Sequence, residues 1–255
     1  MSWFPFLLHL FALGLLGTVA FVPSREIGRY FFKFHATLGL LAVTLAVLLG
    51  RPWEPASGPW LVRMLAFAFA GAVLAENAIV RAAGAELRRD ALLLPVSVGL
   101  PFAAVTAFSL AGPGVGGAVL STFHYWTSAM ILGTSMAAMT TGHWYLSNAK
   151  LSFDILVGLC RLFVLAAAAK TAVSGVYLAS RFGEYWALED FWRLVFGLRV
   201  GAGEAMALVL GLMSLACARR RANQSATGIL YVGVVFVLIG ETVSLYLTLG
   251  RGWPL

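Results

Sequence analysis

The sequence predicts an all-α protein, a polytopic membrane helical bundle of eight transmembrane helices with both termini outside the cytoplasm. Eight runs of about 20 or more mostly apolar residues follow one another, and a hydrocarbon core about 30 Å thick needs helices of that length. Composition agrees, because 60% of the residues are hydrophobic and only 11% are charged. Eight spans in 255 residues leave no room for a soluble domain, so we expect residues 1–255 to form a single transmembrane domain.

Each span is predicted to be helical, because a backbone in lipid must satisfy its own hydrogen bonds. In chain order the predicted spans are 3–22, 28–50, 60–82, 91–112, 118–147, 152–180, 191–217 and 226–249. The first run has no positively charged segment before it and no small-residue cleavage site after it, so we expect a span rather than a signal peptide. Pro95 and Pro101 each remove one helix hydrogen bond from the fourth span. In the seventh, the Gly197-x-x-x-Gly201 pair predicts close contact with a neighbouring helix.

Basic residues in the joints predict the orientation, because Lys and Arg are enriched in cytoplasmic loops. The side opposite the N-terminus carries Arg25, Arg29, Lys33, Arg81, Arg88, Arg89, Lys150, Arg219, Arg220 and Arg221. The N-terminal side carries Arg51, Arg63, Arg181, Arg193 and Arg251. This bias places both termini outside the cytoplasm and predicts a multi-pass protein of the cell inner membrane. The net charge of +7 is thereby attributed to topology, and nucleic acid is not expected as a partner.

Four ionisable residues are predicted to meet near the middle of the membrane. On a rise of about 1.5 Å per residue, Glu204 lies near the bilayer centre, and Glu241, Lys170 and Arg199 lie about 4 to 8 Å toward the exterior. One interpretation is a buried salt-bridge network that fixes helix register. The other is a site that handles protons or a polar ligand, since ionisable groups at this depth usually face a cavity. On that second interpretation Lys170, Glu204 and Glu241 are the candidate catalytic residues.

A second pair is predicted between Glu76 and Arg161, which both lie about 7 Å to the cytoplasmic side of the centre. Arg161 is also a candidate cofactor-binding residue, since its charge suits the propionates of a haem or an anionic head group.

Cys160 and Cys217 have neither CxxC spacing nor paired spacing and are expected to be structural.

Histidines in a helical bundle suggest a b-type haem, whose iron takes neutral imidazole nitrogens from facing helices. His35 and His143, about 5 to 7 Å and about 13 Å to the cytoplasmic side, are the best candidate axial pair and the candidate metal ligands. His9 and His124 match less well in depth. An interhelical hydrogen bond is the open alternative for each histidine. Thioether alternatives on the fifth span are Met130, Met136 and Met139.

The run His143-Trp144-Tyr145 places three amphipathic rings at the cytoplasmic end of the fifth span. Such rings anchor a helix at head-group level, or form the mouth of a quinone site where His and Tyr bond a carbonyl oxygen. These three residues are therefore candidate cofactor-binding residues.

Motifs of soluble enzymes are absent from the sequence: there is no Walker loop, GxSxG, HExxH or Cys-based metal motif. The leading hypothesis is a membrane subunit of a respiratory or photosynthetic electron-transfer system that works with other subunits of a membrane complex. It would bind quinone, with or without one haem b, and move protons through the Lys/Glu cluster. One alternative is a transporter or permease with an external-facing charged cavity. Another is a cofactor-free assembly or scaffold subunit of a membrane complex.

Overall fold

A computed structural model describes residues 3–54, 56, 58–83, 89–111, 115–147, 152–186 and 188–251, and these residues form helices and no strand. The long helices are α1 (Trp3–Val19), α2 (Arg29–Gly50), α3 (Trp60–Ala82), α4 (Leu94–Leu110), α5 (Val115–Ser147), α6 (Phe153–Ser180), α7 (Asp190–Arg219) and α8 (Asn223–Arg251). Each begins and ends within three residues of a predicted span. Short helices at Ser24–Ile27, Arg89–Leu92 and Phe182–Trp186 lie in the joints. The predicted topology residues Arg88 and Lys150 lie outside the described residues.

Six of the described helices are long and apolar enough to cross a membrane: α2, α3, α4 with the turn before it, α6, α7 and α8. The lengths and composition of these helices are those of a multi-pass membrane protein. Helix α1 is apolar but has only 17 residues. Helix α5 has 33 residues and carries many Ser and Thr side chains as well as two histidines, which lower its hydropathy.

The helices pack as two groups of four with the same order of neighbours. In the first group α1 packs against α2 and α4, and α3 packs against the same two helices. In the second group α5 packs against α6 and α8, and α7 packs against the same two helices. The groups meet where α5 packs against α1 and α4. Each group is thus a four-helix bundle, and α5 joins them.

Glycines allow the two groups to approach closely at the crossing of α1 and α5. A Cβ atom on Gly14 would lie 1.7 Å from the carbonyl oxygen of Ala129, and one on Gly133 would lie 1.9 Å from the carbonyl carbon of Gly14. No side chain fits at those distances, so the two backbones touch directly.

The predicted Gly197-x-x-x-Gly201 contact is wrong, since a Cβ on either glycine would have no neighbour within 4 Å. Close contact between α7 and α8 occurs instead at Gly203 and Gly240. The reason is local: residues 199–205 of α7 form a π-helix rather than an α-helix, which changes the face that each residue presents.

Candidate functional site

The π-helical segment of α7, Arg199–Ala205, brings two charged residues onto one face. In an α-helix, residues five positions apart point about 140° away from each other around the axis. A π-helix closes its hydrogen bonds from residue i to residue i+5, so residues five apart lie much closer together around the axis than in an α-helix. Arg199 Nη2 consequently lies 3.2 Å from Glu204 Oε1.

Two glycines make room for the Arg199 guanidinium between α7 and α8. A Cβ atom on Gly203 would lie 2.6 Å from the Cα of Gly240 and 2.8 Å from Arg199 Nη1. A Cβ on Gly240 would lie 2.3 Å from the Cα of Gly203 and 3.0 Å from the same nitrogen. Each glycine directly precedes a glutamate, Glu204 or Glu241. The contact therefore sets two carboxylates beside one guanidinium.

Helix α6 adds the second cation. Lys170 Nζ lies 3.4 Å from Glu241 Oε2, while Arg199 Nη2 lies 3.2 Å from Glu241 Oε1. Glu241 thus bridges Lys170 and Arg199, and Arg199 in turn bridges Glu241 and Glu204. We call Lys170, Arg199, Glu204 and Glu241 the charge cluster. The structure brings together the four residues that were predicted, from their depths along the spans, to meet near the middle of the membrane.

Helix α5 completes the coordination of Lys170. Lys170 Nζ lies 2.6 Å from Ser128 Oγ, 3.0 Å from His124 Nδ1 and 3.1 Å from His124 Nε2, all on α5. His124 Nε2 is also 2.9 Å from Ser244 Oγ on α8. A neutral imidazole accepts at only one ring nitrogen, so the consistent tautomer accepts from Lys170 at Nδ1 and donates from Nε2 to Ser244. The three ammonium protons then have Ser128, His124 and Glu241 as acceptors.

The charge cluster is closed to the surroundings. Exposed fractions are 0% for Lys170 and Arg199, 2% for Glu241 and 4% for Glu204, and His124 is also fully buried. Two cations and two carboxylates sum to zero net charge. Neutrality makes burial tolerable, because a lone ion at this depth would carry a desolvation penalty of several kcal/mol.

A line of polar groups leads from the cluster toward the end of α8. Ser244 is fully buried, and Thr248, one turn further along, donates a hydrogen bond to the Ser244 carbonyl oxygen at 2.9 Å. Helix α8 ends at Arg251, less than one turn beyond Thr248. His124, Ser244 and Thr248 therefore lie between the charge cluster and the end of α8.

The predicted pair of Glu76 and Arg161 is wrong. Glu76 is buried on α3 in the first group, and its Oε2 has no hydrogen-bond partner among the described residues. Arg161 is exposed on α6 in the second group and lines a cavity with Arg219 and Arg221. The two residues have similar predicted depth, but they belong to different four-helix groups.

His35 and His143 contact different neighbours. His35 Nδ1 lies 2.7 Å from the Phe31 carbonyl oxygen, which can only accept, so Nδ1 carries the ring proton and donates it. His35 Nε2 is then an acceptor, and the Thr140 hydroxyl at 2.8 Å donates to it. His143 Nδ1 is 3.0 Å from the Tyr231 hydroxyl at the exposed surface of α5 and α8. Ligation of iron by His35 would require its hydrogen bond with Thr140 to break. Ligation of a haem iron by His35 and His143 therefore stays a prediction.

Trp144 and Tyr145 also point away from His143, because successive residues of an α-helix lie about 100° apart around the axis. Trp144 packs edge-on against Phe31, with ring centroids 6.0 Å apart. The Tyr145 hydroxyl donates to the Ser152 carbonyl oxygen. The three residues therefore contact three different neighbours. Of the three rings, that of His143 faces outward, together with Tyr231.

Sequence reasoning missed His124 and Ser128 as neighbours of Lys170, and Ser244 as the hydrogen-bond partner of His124. One signal was available, since His124 and Ser128 are four apart and share a face of α5. The depth estimate placed His124 too far out because it took the midpoint of the fifth span as the bilayer centre. Helix α5 has 33 residues, more than a membrane crossing requires, so its midpoint need not lie there.

Within the described part of the chain, no three His, Cys, Asp or Glu side chains form a group that could hold a metal ion. The chain shows no match to a protein-family model, to a curated protein or to a solved structure.

Proposed function

We propose that the chain is a proton-handling subunit of an electron-transfer system in a cell inner membrane, with eight spans and both termini outside the cytoplasm. Other subunits of the complex supply the electrons. The observation that supports this proposal is the buried contact of Lys170 with His124 and Glu241 at 3.0 to 3.4 Å. All three groups exchange protons in proteins, and short contacts permit transfer between them.

Arg199 has a different role from Lys170 in this proposal. A guanidinium does not deprotonate in proteins, whereas a buried lysine does so readily. Arg199 therefore holds the carboxylates of Glu204 and Glu241 in place as a permanent cation. Lys170, Glu204 and Glu241 carry the proton, and His124 passes it toward Ser244 and the exterior.

Quinone is the proposed partner in the membrane. Its reduction consumes two electrons and two protons, so a quinone site needs both an electron donor and a proton supply. His143 and Tyr231 form an exposed pair on α5 and α8. His143 lies toward the cytoplasmic end of α5, so a quinone bound there takes its protons from the cytoplasmic side, while the path through His124 and Ser244 leads to the exterior. Either side chain is able to donate a hydrogen bond to a quinone carbonyl that arrives from the lipid.

A transporter or permease is the second candidate, and the π-helical segment of α7 favours it. Interrupted helices beside buried charge are typical of substrate sites in transporters. In that case the charge cluster binds a polar solute from the exterior, and proton exchange accompanies its movement.

Proton flux into liposomes tests the proton-handling role. Purified protein is reconstituted with a pH-sensitive dye inside, and a potassium diffusion potential drives protons inward. We expect Lys170→Met and Glu204→Gln to lower the flux at least tenfold. Glu76→Gln is the matched control, since it removes another buried carboxylate outside the cluster. Equal flux in all variants would make the cluster architectural, as in a scaffold subunit.

Quinone binding separates the two candidate functions. Quenching of tryptophan fluorescence by a short-chain quinone measures affinity, and His143→Ala and Tyr231→Phe should weaken it. Tyr246→Phe removes an exposed tyrosine hydroxyl elsewhere on α8 and should leave affinity unchanged. A reduced-minus-oxidised visible spectrum with haem extraction decides on haem b. Proton flux without quinone binding and without a haem spectrum would favour the transporter.

A further inference from the structure

We propose a binding site for an anionic glycerophospholipid in the cavity between the start of α6 and the end of α7. The cavity has a volume of about 530 Å³, within the range of small-molecule sites. Arg161, Arg219 and Arg221 line it together with Asp154, Phe153 and Val157. We call it the arginine cavity.

Charge favours an anion here. Three guanidinium groups and one carboxylate leave the lining with two positive charges. The described structure records no ion pair for Arg161, Arg219 or Arg221, although Asp154 lines the same cavity. Basic pockets between membrane helices at the basic face of a membrane protein bind the phosphates of lipid head groups.

Arg161 needs such a partner more than the other two arginines. It lies eight residues after Phe153, about 12 Å along the axis of α6 from the start of that helix. Helical side chains tilt toward the N-terminus, so its guanidinium reaches back toward the membrane surface at which α6 begins. A lipid phosphate at that level would meet Arg161 while the acyl chains remain in the hydrocarbon region beside Val157.

The turn at Arg221 positions its side chain at the cavity. Its φ of 59° lies in the left-handed region, which glycine usually occupies at the end of a helix. The chain turns here from α7 into α8, while the Arg221 side chain extends to α6, with its guanidinium carbon 6.0 Å from the centre of the Phe153 ring. The left-handed turn is closed by the hydrogen bond from Ala222 N to the Cys217 carbonyl oxygen at 3.0 Å, which fixes the position from which the Arg221 side chain reaches the cavity.

Native mass spectrometry of the purified full-length protein tests the site, with phosphatidylglycerol titrated against phosphatidylcholine. We expect wild type to retain phosphatidylglycerol selectively. Arg161→Gln should weaken retention roughly fivefold, and the double variant R219Q/R221Q roughly 25-fold, from the typical contribution of one basic residue near an anionic lipid. Arg220→Gln is the matched control, since Arg220 lies between the two residues but does not line the cavity. Asp154→Asn should tighten retention.

Several outcomes would overturn the proposal. Wild type without preference between the two lipids would exclude a specific site. Equal weakening in Arg220→Gln and Arg161→Gln would show diffuse attraction to the basic surface. Displacement of the lipid by inorganic phosphate alone at equal concentration would assign the cavity to free anions. Should an arginine variant fail to fold, Asp154→Asn still decides, because weaker retention in that variant contradicts an anion site.

Discussion

Replacing Lys170 with Met is the perturbation whose consequence follows most directly from the structure. The change removes the ammonium that lies 3.4 Å from Glu241 and leaves the cluster with a net charge of −1. Breaking a buried ion pair by removing one partner costs about 3 to 5 kcal/mol of stability. Because Arg199 still lies 3.2 Å from Glu241, we expect the lower end of that range, about 3 kcal/mol.

A second substitution separates the ion pair from the packing. The double variant K170M/E241Q restores neutrality, since Arg199 and Glu204 remain as one cation and one carboxylate 3.2 Å apart. We expect it to recover about 2 kcal/mol of the loss, which is within the usual range of coupling between contacting residues.

The assay is reversible unfolding in mixed micelles with increasing fractions of denaturing detergent, followed by far-UV circular dichroism. Arg181→Met is the control, because Arg181 and Glu184 are 3.3 Å apart but are 41% and 58% exposed. An exposed pair contributes about 0 to 1 kcal/mol. A Lys170→Met protein as stable as wild type, or a double variant no more stable than the single one, would refute the assignment of a buried, coupled cluster.

Three further predictions concern packing and topology. Gly203→Ala should cost about 1 to 3 kcal/mol, because its Cβ would meet the Cα of Gly240, whereas Gly201→Ala should stay within about 0.5 kcal/mol of wild type in the same unfolding assay. Gly14→Ala should cost about 3 kcal/mol or more because its side chain would force α1 away from α5, while Gly71→Ala, with open space around it, should not change stability. Equal stabilities of the Gly203 and Gly201 variants, or of the Gly14 and Gly71 variants, would contradict the described helix contacts. Reporter fusions after residues 87 and 221 should report cytoplasm, and fusions after 55, 115 and 255 the exterior, and the inverse pattern would reverse every assignment of side.

The helices could be predicted from the sequence because lipid imposes one requirement on all of them. A run of about 20 apolar residues has to form a helix, and only its ends remain uncertain. The grouping into two four-helix bundles could not be predicted in this way. Both the grouping and the contact of Gly14 with Ala129 that joins the two groups depend on residues distant in the chain, and periodicity within one helix does not identify the partner helix.

The charge cluster could be predicted in part. Depth along each helix brought Lys170, Glu204 and Glu241 to one level, and charge balance favoured their contact. Depth does not identify which helices are neighbours, and the Glu76 and Arg161 prediction failed because the two residues lie in different four-helix groups. The contact of Arg199 with Glu204 depends on a π-helical segment, which periodicity at about 3.6 residues per turn does not anticipate.

In the proposed function, the buried carboxylates of the charge cluster exchange protons rather than only hold helices together. Infrared difference spectroscopy of the purified protein in lipid, taken between acid and alkaline pH, measures this directly in the carboxyl stretching region. We expect a carboxyl band that shifts in heavy water and is lost in Glu204→Gln or Glu241→Gln but retained in Glu76→Gln. A difference spectrum in which neither cluster variant changes any carboxyl band would contradict proton exchange by Glu204 and Glu241.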